Sequence, residues 1–392
     1  MLKSSSASYI RSYDRAIRLI QRHLGDRISI PFRLQLQGCS YQFGDAPPLI
    51  SFTINDRNGL AALCSFDELK FCEAYMSGSI DIEGDMLQLP GFRSILTDRH
   101  VLDYLLSRML PLFIGQTHTN QKAIARHYER DEDFFLTFMD ATRCYSQAVF
   151  ERDDEKLETA QLRKLEFALS SCLVKPGDRV LDVGGGWGTF TEYAGKRGIR
   201  VTSLTISGQS EQYIKDVILK FQLPCKVIYQ DFFDHAATEP YDAIVILGVM
   251  EHLSDYHAVM RQFRKLLKPG GRVYLDASAY REKYSKPTFI SRHVFPGNHS
   301  YFCLREFIKE VDKTEFEVMS VHNDRHSYYL TCKAWAENLD AAKDVIVERW
   351  GERLYRTFRL YLWGSAHSFL NHGLEAYRVV LERPAEANLR RQ

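Results

Sequence analysis

Five short clusters hold the residues of this chain best suited to chemistry, and each closes an apolar run. The first reads Val-Leu-Asp-Val-Gly-Gly-Gly-Trp-Gly at 180–188. It supplies Asp182, then Gly184 and Gly186, and a helical pattern follows from Thr189 to Lys196. Glycines there let backbone amides approach a ligand closely at a helix N-terminus. The spacing is Gly-x-Gly-x-Gly, not the Gly-x-Gly-x-x-Gly of a dinucleotide site. The next apolar run, Arg200–Leu204, ends at Thr205, where a dinucleotide site would place an acid for the ribose. The remaining clusters are Thr205, Ser207 and Gln209; Gln230, Asp231 and Phe232; Gly248 with Met250-Glu251-His252; and Asp276 with Ser278. Phe232 is an aromatic suited to an adenine. Each residue has a structural alternative: Asp182 as an orderer of the glycine loop, His252 as a helix cap. For Glu251 function is favoured, because buried carboxylates are uncommon without a role.

These clusters need a scaffold that brings five strand ends to one edge. Strands are expected at Arg179–Val183, Arg200–Leu204, Cys225–Tyr229, Ala243–Leu247 and Arg272–Asp276, with helical patterns between them. That alternation predicts an α/β fold with a parallel sheet, whose ligands sit at the carboxyl ends of the strands. Lys268-Pro-Gly-Gly271 reads as a turn before the fifth strand. One long helix is expected over Asp340–Arg359, a connecting helix over Asp98–Gly115 and a loop over Gln116–Asn120. Residues 1–118 differ in texture. They hold an amphipathic helix, alternating segments at Ser29–Leu36 and Ile50–Thr53, and a helical stretch at Phe66–Met76. The reading is two domains, 1–118 and 119–392.

Apolar residues make up 45% of the 392 residues and charged residues 26%, an ordinary globular balance. A net charge of +1 favours no nucleic acid partner. No apolar run reaches the length of a membrane span, and the Met-Leu-Lys-Ser-Ser-Ser opening lacks a signal core. Eight cysteines without pairing rhythm suit reduced thiols and a cytoplasmic location. His322, His326 and Cys332 complete no metal-ligand pattern. In the first helix Tyr9, Tyr13, Ile17, Ile20 and Leu24 form an apolar stripe flanked by Arg11, Arg15, Arg18 and Arg22. Two roles are open for it: peripheral contact with the inner face of a membrane, or docking on its own domain with a solvated basic face.

Lys-Pro-Gly-Asp-Arg before the first strand extends the glycine motif, which then resembles the first motif of S-adenosylmethionine-dependent methyltransferases. Further segments narrow the resemblance to the cyclopropane-fatty-acid synthase family. Residues 124–150, from Ile-Ala-Arg-His-Tyr-Glu-Arg to Cys-Tyr-Ser-Gln-Ala-Val-Phe, resemble that family's helical lid, which ends in Tyr-Ser. Thr205-Ile-Ser, Gln230-Asp231-Phe232, Met250-Glu-His-Leu and Phe295-Pro-Gly resemble its later motifs, and Tyr328 stands upstream of Ala334-Trp335. The glycine loop carries Gly185 where the family has cysteine, and the family's glutamine after Thr-Ile-Ser is displaced to Gln209. Ala74-Tyr-Met-Ser-Gly and Asp81-Ile-Glu-Gly-Asp match its extra N-terminal domain more loosely.

The resemblance implies a Rossmann-like domain with a mostly parallel seven-stranded sheet, a helical lid and a smaller α+β N-terminal domain. It implies S-adenosylmethionine held by Tyr145, Ser146, Asp182, Gly184, Gly186, Thr205, Gln209, Asp231 and Phe232. The implied substrate is an unsaturated phospholipid or other acyl lipid, and a homodimer is a compatible assembly. In the implied reaction the alkene takes the sulfonium methyl, and a base removes a proton from the resulting carbocation. Aromatic faces suit that cation; candidates are Tyr280, Tyr284, Tyr301, Phe302, Tyr328 and Tyr329, with core packing as the alternative for each. In relatives that use bicarbonate as base, five positions hold the ion. Here they carry Gln147, Glu251, Asp276, Ser278 and Tyr328. A second carboxylate at Asp276 argues against the anion, so Asp276 or Glu251 is the expected base. Three outcomes stay open: ring closure, methylation of an acyl chain or a lipid-like small molecule without a ring, and a lipid-binding protein that has lost catalysis.

Overall fold

A computed structural model of the chain describes residues 15–23, 30–98, 132–283, 285–295 and 300–385. The domain boundary expected at 118/119, the helix at Asp98–Gly115 beyond its first residue, the loop at Gln116–Asn120, residues 124–131 of the lid, Tyr284, and the Pro-Gly after Phe295 lie outside the described residues.

The N-terminal domain holds a four-stranded sheet of β1 (Phe32–Leu36), β2 (Cys39–Phe43), β3 (Ile50–Ile54) and β4 (Ile80–Gly84), in the order β2-β1-β3-β4. β1 and β3 are parallel, and the other two pairs are antiparallel. Two helices, Arg57–Ser65 and Glu68–Met76, connect β3 to β4. Asp56 and Asp67 start them by accepting from the backbone N–H of Gly59 and Lys70. Alternate residues of β1 and β3, among them Phe32, Leu34, Phe52 and Ile54, point into one core.

The larger sheet holds β5 (Arg179–Val183), β6 (Arg200–Thr205), β7 (Lys226–Tyr229), β8 (Tyr241–Leu247), β9 (Leu267–Ala279), β10 (Glu317–Asn323) and β11 (Glu375–Glu382). Their order is β10-β11-β9-β8-β5-β6-β7. β5 to β9 pair in parallel, and β11 runs antiparallel between β9 and β10. β8 is buried along almost its whole length, as a central parallel strand covered on both faces must be. The expected turn at Lys268–Gly271 is absorbed into an early start of β9, with Gly270 at φ +77°. The expected single helix over Asp340–Arg359 is broken. Gly351, at φ +86°, separates Lys343–Trp350 from Glu352–Leu370.

The Glu352–Leu370 helix joins the two sheets. Leu360 enters the N-terminal core beside Phe289 and Val294. Arg356 donates to the carbonyls of Tyr75 (3.0 Å) and Ile80 (3.1 Å) and to Asp81 (2.6 Å), and Arg359 donates to the Tyr75 hydroxyl (3.1 Å). In the first helix, Ile17 and Ile20 are buried in the N-terminal core and His23 stacks on Phe66. This part of the apolar stripe therefore packs into the core of the four-stranded sheet. Arg15, Arg18 and Arg22 are exposed, whereas Tyr9, Arg11, Tyr13 and Leu24 lie outside the described residues. Among the described residues no helix is long and apolar enough to cross a membrane.

Arg356→Met would remove three hydrogen bonds across this joint and leave Asp81 without its cation. We expect a loss of about 2–3 kcal/mol in urea unfolding; an unchanged midpoint would show that Arg356 contributes nothing to docking.

Candidate active site

At the carboxyl ends of β5, β6 and β8 lies a cavity of about 900 Å³, counting its mouth. Tyr145, Ser146, Asp182, Gly184, Gly186, Thr205, Ser207, Ser210 and Gly248 line it. The turn after β5 is built from Gly184 (φ +79°) and Gly186 (φ +52°). A Cβ on Gly184 would meet Val249 at 2.5 Å, whereas one on Gly186 would meet nothing within 4 Å. Gly186 thus leaves the cavity floor open to a ligand. The neighbouring Gly185 is crowded instead: its Cβ would meet the Ser203 hydroxyl at 1.9 Å. The Ser203 hydroxyl occupies the space that a side chain at 185 would need, and it donates to Asp182 at 3.0 Å. Thr191 also donates to Asp182, at 3.3 Å. Burial pushes the Asp182 carboxyl up to about 7, against these two bonds. These contacts make Asp182 a brace of the loop.

Three residues expected at the cofactor do not line this cavity. Gln209 is exposed in the first turn of the Gly208–Phe221 helix, while Ser210 faces inward and bonds the Gly186 carbonyl. Phe232 is buried in the main core beside Phe263. Asp231 turns back to accept from the Phe233 N–H at 2.9 Å.

A second cavity shares Tyr145, Gly248 and His252 with the first. Glu251, Ser278, Tyr301, Tyr328, Trp335 and Tyr361 also line it. Glu251 sits on the short Met250–His252 turn after β8 and is 4% exposed. Its Oε1 accepts from both the N–H and the hydroxyl of Ser278, each at 2.7 Å. Its Oε2 is buried with no hydrogen-bond partner among the described residues, as is the Trp335 indole N–H. Burial pushes the Glu251 carboxyl up to about 7; the Ser278 bonds oppose this and Asp276 adds to it. Tyr328 stacks on Phe369 with ring centroids 4.4 Å apart. Of the other aromatic candidates, Phe302 packs in the main core and Tyr329 lies beside His326.

Asp276 and Gln147 stand behind the wall of this cavity, contrary to expectation. Asp276 accepts from the Gly248 N–H at 2.9 Å through Oδ1 and from the Tyr274 hydroxyl at 3.3 Å through Oδ2. Lys164, fully buried, approaches Oδ2 at 3.9 Å and donates to the Ser146 hydroxyl at 2.7 Å. With both oxygens engaged, Asp276 is not placed to take a proton from a ligand. Gln147 donates to Asp324 at 2.8 Å, and Asp324 also accepts two bonds from Arg378. Sequence reasoning missed Lys164, Asp324 and Arg378. A lysine or arginine inside a helix or strand reads as a solvated charge, and only the packing shows it buried. Among the described residues no group of His, Cys, Asp and Glu could hold a metal.

A family model described as mycolic acid cyclopropane synthetase matches residues 115–379. The chain belongs to that family. Its members are S-adenosylmethionine-dependent methyltransferases, and the open floor at Gly186 fits that cofactor. Sphingolipid C9-methyltransferase of Candida albicans is 26% identical over 335 residues, which are 80% of this chain and 65% of that protein. The chain thus spans just under two thirds of that relative's length. Hydroxymycolate synthase MmaA4 of Mycobacterium tuberculosis is 28% identical over 296 residues, 71% of this chain and 97% of that one. Among solved structures, mycolic acid cyclopropane synthase CmaA1 complexed with SAH and CTAB superposes with a TM-score of 0.61 at 26% identity. It covers 67% of this chain and 97% of its own.

Glu251→Gln keeps the shape of the site and removes its buried carboxylate. The folded carboxyl binds a proton more tightly than the unfolded one, so wild-type stability should fall as pH rises from about 4.5 to about 7. We expect the variant to match wild type near pH 4.5, to exceed it above pH 7 in chemical denaturation, and to lose about 100-fold or more in turnover. Identical pH profiles of stability would show that Glu251 is not a strained carboxylate.

Proposed function

We propose that the protein methylates the double bond of an unsaturated acyl lipid and that Glu251 is the base. Bound S-adenosylmethionine supplies an electrophilic methyl to the junction at Tyr145, Gly248 and His252. The alkene's π electrons form the new carbon–carbon bond as the sulfur–carbon bond breaks, leaving a cation on the lipid. The rings of Tyr301, Tyr328 and Tyr361 line the cavity where that cation forms and present apolar, electron-rich faces to it. Glu251 Oε2 then accepts the proton. A carboxyl held near neutrality suits this task, since it is ionised at working pH yet still basic. Before that, its charge stabilises the cation as it develops. The observation that carries this reading is the single unpartnered carboxylate oxygen in the cavity.

The five bicarbonate positions do not fit the ion here. Asp276 and Gln147 are turned away, and both donors of Ser278 are bound to Glu251. The charge repulsion expected from Asp276 is not the reason, because Lys164 stands beside it outside the cavity. Proton loss from the new methyl closes a cyclopropane, whereas loss from a neighbouring carbon leaves a methylated alkene. The sphingolipid C9-methyltransferase relative favours methylation without a ring as the second reading.

We expect turnover on unsaturated phospholipid vesicles to be unchanged in carbonate-stripped buffer. Ozonolysis and mass spectrometry of the product separate a retained alkene from a ring. Loss of activity on stripping bicarbonate would remove Glu251 as the sole base.

A further inference from the structure

A third cavity, of about 810 Å³ counting its mouth, lies between the two sheets. One wall belongs to the N-terminal domain: Phe71, Met86, Leu89, Phe92 and Leu96. The other belongs to the Glu352–Leu370 helix, through Leu360, Trp363 and Gly364, and to the segment that follows β9, through Phe289 and Ile290. Ile290, Tyr301, Tyr361, Ser365 and Leu374 line both this cavity and the one holding Glu251. The two spaces are therefore neighbours across a shared set of side chains. Tyr361 also stands against Tyr145, which lines the cofactor cavity.

We infer that this interdomain cavity holds one hydrocarbon arm of the acyl substrate, with the N-terminal domain as its outer wall. The inference rests on the acyl-lipid reading above. The chemistry of the lining carries it. Nearly all the side chains named are apolar, and burying hydrocarbon against them is favourable. The charged pair in the lining, Glu68 and Arg93, is self-satisfied at 3.0 Å, so it offers no net charge to a phosphate or carboxylate. A double bond held at Glu251 must send its two arms in different directions, and one of those directions crosses the shared side chains into the apolar cavity. Residues 30–98 lie outside the 115–379 segment that the family model matches, so the wall they supply is additional to that segment.

Gly364 gives the test. It lies inside a helix, lines the cavity, and a Cβ built on it meets no heavy atom within 4 Å. Gly364→Leu should extend a side chain into the cavity without a backbone clash and with better helix propensity. Leu96→Glu places a charge on the opposite wall and serves as a second variant. Full-length protein is titrated with a fluorescent conjugated polyene fatty acid, then competed with saturated fatty acids of increasing length. Turnover is measured in parallel on unsaturated lipids of graded tail length, together with S-adenosylmethionine affinity. Both variants should leave cofactor affinity unchanged. Gly364→Leu should weaken the longest chains by about fourfold for each methylene it excludes, and spare the shortest. An unchanged length profile, or an equal loss at every length, overturns the inference. A wild-type protein that binds the acyl series with this length dependence but methylates no lipid would keep the cavity assignment and sink the reaction. A protein that methylates lipids with no change of length profile in either variant would do the reverse.

Discussion

A single buried ammonium group holds the active-site edge together. Lys164 comes from the Leu157–Ser171 helix and is fully buried. It donates to Ser146 on one side and faces Asp276 on the other, and Asp276 in turn receives the Gly248 N–H. Three chain segments meet there, and two cavities share Gly248 and the adjacent Tyr145. A buried charge is costly unless paired, and breaking such a pair costs more than the pair itself contributes. Asp324 and Arg378 form a second buried pair nearby, so two cations stand against two carboxylates. The arrangement ties the Tyr145–Ser146 segment to the ends of β8 and β9. It also leaves Glu251 as the carboxylate that faces the reaction cavity.

Glu251 is held by opposing demands. Ser278 fixes one oxygen with two hydrogen bonds, while apolar and aromatic walls desolvate the other. The site therefore holds a carboxyl that gives up its proton near neutrality, as the proposed base requires. The aromatic rings around it serve two ends at once. They keep water from the Glu251 carboxyl, and in the proposed reaction they would line the space where the cation forms.

The sheet was legible because its central strands are short apolar runs closed by glycine or polar residues. β5 begins and ends where the pattern puts it, and β6 and β8 differ by one or two residues. The edge was less so. β10 alternates exposed residues with half-buried ones and carries little core signal. In the site, Glu251, Ser278 and Tyr328, far apart in the sequence, line one cavity, and Ser278 holds Glu251 there. Asp276 could not be assigned correctly from spacing. It shares a strand face with Ser278 by the period of two, yet the cavity begins only at Ser278. What stands beneath Asp276 is Lys164, 112 positions earlier in the chain, and no local pattern announces that meeting. Phe232 was misread for a similar reason: an aromatic after a strand end packs inward or outward according to the helix beside it, here the one carrying Phe263.

The central claim is that the ionised form of Glu251 drives methyl transfer to a lipid double bond. Single-turnover rates of the wild-type protein, saturated with S-adenosylmethionine and unsaturated lipid, test it most directly across the range around neutrality. The account predicts a rate that rises tenfold per pH unit below about 7 and levels off above it. A rate independent of pH across that range would contradict it.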